Sequence, residues 1–166
     1  MIRLEHVSDK YFESLKELKN DYVNNAEKRI QGSCELENYQ NLNEWHEMIK
    51  SIEEGKNKNF VRTSYFLIVC EEEVVGNICF RHELNSELEE FGGQIAYSIK
   101  PSAREKGYGF CALSLLLDMI KEDVLIMCEN NNIASNRIII KNGGVLVEKV
   151  IKYGLSINKY IIKSRV

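Results

Sequence analysis

The sequence predicts one mixed α/β domain: a twisted, mostly antiparallel sheet of about six to seven strands with helices on both faces and a central β-α-β crossover. Three observations carry that prediction. Helical and strand periodicities alternate along all 166 residues. A long apolar helical pattern lies between two strand patterns. No linker, repeat or shift in composition divides the chain, which holds a single proline. With 44% hydrophobic and 28% charged residues, it can bury one core spanning residues 1–166.

The elements follow in order. Residues 2–7, IRLEHV, alternate well enough for a first strand. Between Asp9 and Arg29, Phe12, Leu15, Leu18 and Tyr22 recur on one helical face. Leu42, Trp45, Ile49 and Ile52 repeat that spacing in a second helix, which Gly55 can terminate. The period then changes. SYFLIVCE from Ser64 and VVGNICFRHEL from Val74 are β-rich runs that pair as a hairpin across a glutamate turn. GGQIAYSIKP sets Ile95, Tyr97 and Ile99 on one face of a strand and Gln94, Ala96 and Ser98 on the other. GFCALSLLLDMI is apolar on nearly every side, as a helix buried against a sheet would be, and DVLIMCE follows as a covered strand parallel to its predecessor. A helix from Ile133 to Lys141 stops at Asn142 or Gly143, and the remaining chain forms a hairpin turning near Tyr153 and Gly154.

A formal charge of −3 and a pI near 5.7 leave no concentrated basic face for nucleic acid. Charges interrupt the first ten residues, and no later run reaches the length of a membrane span. A cytoplasmic protein is expected, with no nucleic-acid or membrane partner. The five cysteines form an odd set without a CxxC pair, mostly inside apolar runs, so they read as reduced and structural, and no metal is expected.

PSAREKGYGF, residues 101–110, sets Gly107 and Gly109 behind Arg104 and directly ahead of the apolar helix. A helix start presents unpaired N–H groups and the positive end of the peptide dipoles, and a glycine loop lets further N–H groups converge there. Such a cup seats an anion, most often phosphate. The bland alternative is a loop that only turns the chain. GYGFCA also satisfies G-x-G-x-x-A, with Glu129 about 20 residues on, as in a dinucleotide fold. That reading fails because seven residues separate Ile99 from Gly107, and too little chain follows Glu129 to complete such a sheet. A Walker loop needs Gly-Lys-Ser/Thr, which is missing.

Arg104-Glu105-Lys106-Gly107-Tyr108-Gly109 resembles the R/Q-x-x-G-x-G/A pyrophosphate loop of the GNAT family of N-acetyltransferases, and it follows YSIKPS as in that family. NNIASNRIIIKNGG is similar to the family's N-x-x-S/A…K-x-G helix, with Asn132, Ser135, Lys141 and Gly143 in register. RHELN and FGGQIAYSI resemble one bacterial branch of small acetyltransferases. The resemblance implies acetyl-coenzyme A as co-substrate. Its diphosphate would rest on the N–H groups of Arg104, Glu105, Lys106, Gly107, Tyr108 and Gly109, and its pantetheine would pair with the backbone near Ser98 and Ile99 between splaying strands. A side chain at 107 or 109 would then stand where phosphate oxygens sit. Asn132 would hydrogen-bond the pantetheine or cap its helix. The implied acceptor is a primary amine of a small molecule or peptide; a homodimer is a further expectation.

The implied chemistry is direct attack of the amine on the thioester. An alkylamine, with a pKa of about 10, must lose a proton, and the departing thiolate gains from receiving one. Two positions depart from the family pattern. Ile139 stands where a general-acid tyrosine is common, and Gln94 stands where this branch often has histidine; neither side chain titrates. Glu83, beside His82, is the expected base, directly or through water, and Tyr153 the expected donor; the bland alternatives are an exposed turn carboxylate and a packed tyrosine. Tyr97, Cys128 and Glu129 are weaker candidates. Without a partner that depresses its pKa, Cys128 reads as a buried thiol rather than a nucleophile. The two vacant positions leave a second class open: a non-catalytic acyl-coenzyme A-binding protein that retains the cradle.

Overall fold

In a computed structural model describing residues 1–166, the first half of the chain forms β1 (Ile2–Glu5), α1 (Phe12–Asn24), α2 (Leu42–Glu53), β2 (Thr63–Cys70) and β3 (Glu73–Arg81). The second half adds α3 (Ser86–Glu90), β4 (Ile95–Ile99), α4 (Tyr108–Met119), β5 (Val124–Glu129), α5 (Ile133–Lys141), β6 (Val145–Lys152) and β7 (Leu155–Ile162). The strands form one sheet in the order β1-β2-β3-β4-β5-β7-β6. Every neighbouring pair is antiparallel except β4 and β5, which the α4 crossover makes parallel.

Strand alternation divides the core into two layers. On one face α1 and α2 cover Tyr65, Leu67, Cys79 and Ala96. On the other, α4 and α5 cover Phe66, Ile68, Ile78, Ile95, Ile126 and Tyr160. The spacing read for α1 and α2 is what buries them: Leu15, Leu18 and Tyr22 line one helix, and Leu42, Trp45, Ile49 and Ile52 the other. Asn41 caps α2 by accepting from the N–H groups of Asn43 and Glu44, and Gly55, at φ +71°, ends it. Trp45 is fully buried; its indole N–H donates to the Ser33 carbonyl at 3.1 Å and its ring meets Tyr65 edge-on.

Tyr153 (φ +52°) and Gly154 (φ +75°) make the expected two-residue turn of the last hairpin. Three details depart from the sequence reading. β1 stops at Glu5, and a 3-10 turn at Asp9–Tyr11 precedes α1. α3 was unexpected, because it buries no residue and so carries no apolar period. α4 is not enclosed on all sides: Ala112, Leu113, Leu116 and Leu117 are buried, while Phe110, Leu115 and Met119 face solvent, since only the sheet and α5 cover it.

Candidate active site

β4 and β5 share a single paired position, Ile95 with Ile126, and separate beyond it. The vertex of this wedge is pinned by Gln94, whose N–H donates to the Leu125 carbonyl at 2.7 Å and whose Oε1 accepts from the Leu125 N–H at 2.9 Å. The position expected to hold a base therefore holds an amide that closes the sheet. On its other side β4 stays in register with β3 through Gly76 and Ile99. The Lys100 N–H donates to the Val75 carbonyl at 2.8 Å. Alternation then directs the backbone groups of Ser98 toward β3 and those of Tyr97 and Ile99 into the wedge. This corrects the expectation for Ser98, whose hydroxyl accepts from Tyr22 and donates to Asn77 on the α1 side.

At the wide end lies the glycine loop. The N–H groups of Glu105, Lys106, Gly107, Tyr108, Gly109 and Phe110 have no acceptor in the protein. Glu105 (φ +64°) and Gly107 (φ +82°) are both left-handed, the backbone habit of an anion-binding nest, and α4 begins immediately after. The two glycines serve different ends. A Cβ at Gly107 would meet nothing within 4 Å, so its left-handed backbone is what calls for glycine. A Cβ at Gly109 would point inward, 2.9 Å from Ile138 Cδ1 and 3.8 Å from the Tyr97 ring. Close packing of α4 on α5 and β4, rather than room for a phosphate, explains Gly109.

Arg104 is also reassigned. Its guanidinium makes two 2.9 Å hydrogen bonds to the Glu27 carboxylate, its Nε donates to the Ile99 carbonyl at 3.0 Å, and its N–H donates to Pro101 at 3.3 Å. It clamps the loop to the end of α1 and leaves Lys106 as the cation free to meet an anion. Those hydrogen bonds hold the Glu27 carboxyl below its usual range.

On the α4/α5 face, the Tyr97 hydroxyl lies 2.7 Å from Ser135 Oγ, reaching from β4 to α5 across the wedge floor. Burial raises the Tyr97 pKa, which keeps its proton in place. Cys128, on the β5 side, has its thiol pushed up by burial, contrary to what a nucleophile needs. Asn132 caps α5, its Oδ1 accepting from the Ser135 N–H at 3.1 Å. Ile139 is fully buried in the core and offers no room for a hydroxyl. Sequence reasoning missed Asn136: it donates to the Glu129 and Asn132 carbonyls at 3.0 and 2.7 Å and accepts from Asn158 at 2.8 Å and from Tyr160, joining α5 to β5 and β7. Its only signal was an asparagine inside a helical pattern, where asparagine is disfavoured.

A cavity of about 160 Å³ opens on the α1/α2 face, lined by Arg29, Ser33, Glu37, Thr63, Cys79 and Arg81 among others. Its rim loop is bent sharply, with Gly32, Cys34 and Glu35 all at positive φ. A Cβ at Gly32 would lie 2.9 Å from that of Ala96, so the rim touches β4 one residue from the vertex. Glu83 is exposed, two residues beyond Arg81, without a side-chain hydrogen bond in the protein. Tyr153 is 84% exposed at the hairpin tip. The structure does not bring it together with the wedge, which removes it from the set of donors.

The chain's kin agree with this geometry. Residues 3–145 match the model of the acetyltransferase (GNAT) domain. No curated protein matches the chain in sequence. Among solved structures, it is similar to RimL, a ribosomal L7/L12 alpha-N-protein acetyltransferase in a disulfide-linked complex with coenzyme A (16% identity, 98% of this chain and 93% of that one, TM-score 0.71). It is similar to Mycobacterium smegmatis RimJ in complex with coenzyme A disulfide (14%, 98% and 82%, TM-score 0.73). It also resembles the microcin C7 self-immunity acetyltransferase MccE in complex with acetyl-coenzyme A and AMP (18%, 98% and 92%, TM-score 0.68). At these identities the structures speak for the fold, and the family match carries the rest: the chain belongs to the GNAT acetyltransferase domain family.

Proposed function

We propose that this protein transfers an acetyl group from acetyl-coenzyme A to a primary amine of a small molecule or peptide, by direct attack on the thioester. One observation carries the proposal: six successive N–H groups without acceptors stand at the mouth of a wedge in which β4 pairs with β5 only at Ile95 and Ile126. The donor set fits the co-substrate. The Glu105–Phe110 amides and Lys106 match a diphosphate in charge and hydrogen bonding. The Tyr97 backbone groups and the Ile99 N–H match the amides of an extended pantetheine, and co-substrates of this kind appear with structural neighbours. When bound, the thioester supplies an activated acyl group.

The amine acceptor is proposed to enter by the cavity against Ala96, where Glu37 and Glu35 offer negative charge and Arg29 and Arg81 positive charge. Glu83 remains the proposed proton acceptor at the end of β3, acting through water. Protein N-termini are the first acceptors to assay, because RimL, a fold neighbour, is described as an alpha-N-protein acetyltransferase. The cytoplasm, where such acceptors and coenzyme A meet, is the proposed location; no helix of the chain is long and apolar enough to cross a membrane.

The second reading, binding without turnover, draws on the pinned Gln94 and the buried Ile139. Thiol release from acetyl-coenzyme A across a panel of amines and peptides separates the two. Stimulation by at least one acceptor supports transfer. Tight binding of acetyl-coenzyme A with no stimulated release supports the second reading, and no binding overturns both.

A further inference from the structure

Resting on that reading, we propose that the acceptor is a small zwitterion, an amine that carries its own carboxylate as an amino acid does. Arg81 binds the carboxylate and Glu37 the ammonium. The cavity on the α1/α2 face supplies the observations. Thr63 on β2 and Cys79 and Arg81 on β3 form its floor, and the loop from Arg29 to Glu37 forms its wall.

Arg81 is half-buried, and its side chain meets no carboxylate in the protein. Its partners are the carbonyls of Gly92 and Gly93, which accept from Nη1 at 3.4 and 2.9 Å. That grip fixes one corner of the guanidinium and leaves Nε and Nη2 without acceptors. A half-buried cation lacking a counter-ion is costly, and two free donor nitrogens in one plane match the two oxygens of a carboxylate. Arg29, exposed at the rim, also lacks an acidic partner.

The negative charge is held in place as well. Glu37 Oε2 accepts from Ser33 Oγ at 2.8 Å, and Ser33 Oγ accepts from the Leu36 N–H at 3.1 Å, so Glu37 Oε1 is left for a ligand. The Ser33 carbonyl accepts from the Trp45 indole at 3.1 Å, and the Gln31 carbonyl from the Asn77 amide at 3.0 Å. The wall is therefore formed before any acceptor arrives, which lowers the cost of binding one.

Charge and size then select the ligand. Arg29 and Arg81 balance Glu35 and Glu37, so the lining is neutral. A zwitterion keeps that balance; a plain amine leaves the guanidiniums unanswered, and a phosphate dianion faces two carboxylates. The volume, about 160 Å³, suits one amino acid and lies below the roughly 300–1,000 Å³ of sites for larger ligands. Register agrees. Cys79 pairs with Ala96, which Gly32 touches, and Arg81 stands two residues on, its N–H donating to the Gln94 carbonyl at 2.7 Å. At roughly 3.3 Å per residue that is about 7 Å along β3. An amino acid anchored by its carboxylate at Arg81 spans this interval with its nitrogen toward Ala96 and the vertex.

The test measures thiol release from acetyl-coenzyme A with free amino acids, their α-amides, the amines left by decarboxylation, O-phosphoethanolamine and short peptide amides. It uses the wild type, Arg81→Gln, Arg81→Lys and Arg29→Gln. At least one free amino acid is expected to exceed its own amide roughly 10- to 100-fold in kcat/KM, the size of a charge-assisted hydrogen bond. Arg81→Gln should bring that ratio toward one through KM, Arg81→Lys should restore part of it, and Arg29→Gln should lower it only a few-fold. An Arg81 that merely holds Gly92 and Gly93 would slow the free acid and the amide alike; an unchanged ratio in Arg81→Gln overturns the inference. A wild type that prefers the amide, the plain amine, the phosphate or the peptide also overturns it, with no variant needed. Turnover that ignores the carboxylate sinks this inference alone, whereas no release with any acceptor overturns the acetyl-transfer reading on which it rests.

Discussion

Alanine at position 107 separates backbone geometry from contact. Gly107 sits at φ +82°, and a Cβ there meets no atom within 4 Å, so no clash contributes. An L-residue in this region costs about 1–2 kcal/mol, of which the lower unfolded-state entropy of alanine returns part. The net loss is about 1 kcal/mol, or roughly 2–4 °C in Tm for a domain of this size. Binding should suffer too. If the loop escapes strain by leaving the left-handed region, the N–H groups at 107 and 108 turn away, and a bias of about 1 kcal/mol weakens apparent affinity roughly fivefold. Gly109→Ala is the control. Its φ is ordinary, and the nearest atom to its Cβ is Ile138 Cδ1, the mobile end of a side chain. Alanine favours the helix there by about 1 kcal/mol, which offsets the shift that its Cβ demands of Ile138, so net stability should move by less than about 0.5 kcal/mol. Thermal unfolding and calorimetry with coenzyme A measure both variants. A Gly109→Ala protein that loses more affinity than Gly107→Ala would refute the division of labour between these glycines.

Three further outcomes follow from the structure. Because Arg104 holds the Glu27 carboxyl below its usual value near 4.5, the pair stabilises the fold above that pH and stops doing so as pH falls through the depressed value. The Arg104 and Glu27 side chains are 41% and 33% exposed, so the contribution is below about 1 kcal/mol, and Glu27→Gln should narrow the difference in urea midpoint between neutral and acid pH. Ile139→Tyr, which restores the family's common residue, should cost about 1–3 kcal/mol in urea unfolding, because Ile139 is fully buried and already touches Gly144. Asn136→Ala should cost about 2–4 kcal/mol by stranding partners on β5, α5 and β7, seen as a drop in Tm without loss of helix signal at low temperature.

Most of the fold was legible because burial writes itself into spacing. Leu15, Leu18 and Tyr22, or Leu42, Trp45, Ile49 and Ile52, reveal a covered helix face without any structure. α5 was readable to the residue, since Asn132 caps it and Gly143, at φ +94°, ends it. What escaped was whatever side-chain patterning does not encode. α3 buries nothing, so only Asn85 marked it, as its cap. The side of β4 that faces the wedge depends on hydrogen-bond parity, which is set by Lys100 with Val75 and invisible in composition. Arg104 belongs to Glu27, which lies 77 residues away in the chain. Gln94 read as a missing base and proved to be the pin of the vertex. The glycine loop was legible as a loop, but neither the left-handed backbone of Gly107 nor the packing of Gly109 against Ile138 could be read from its spacing.

Backbone amide shifts recorded while coenzyme A is titrated into the isotope-labelled protein test the cradle most directly. The amides from Glu105 to Phe110, followed by Tyr97 and Ile99, should move furthest and saturate together. Large shifts elsewhere with these amides unmoved at saturating ligand would contradict it.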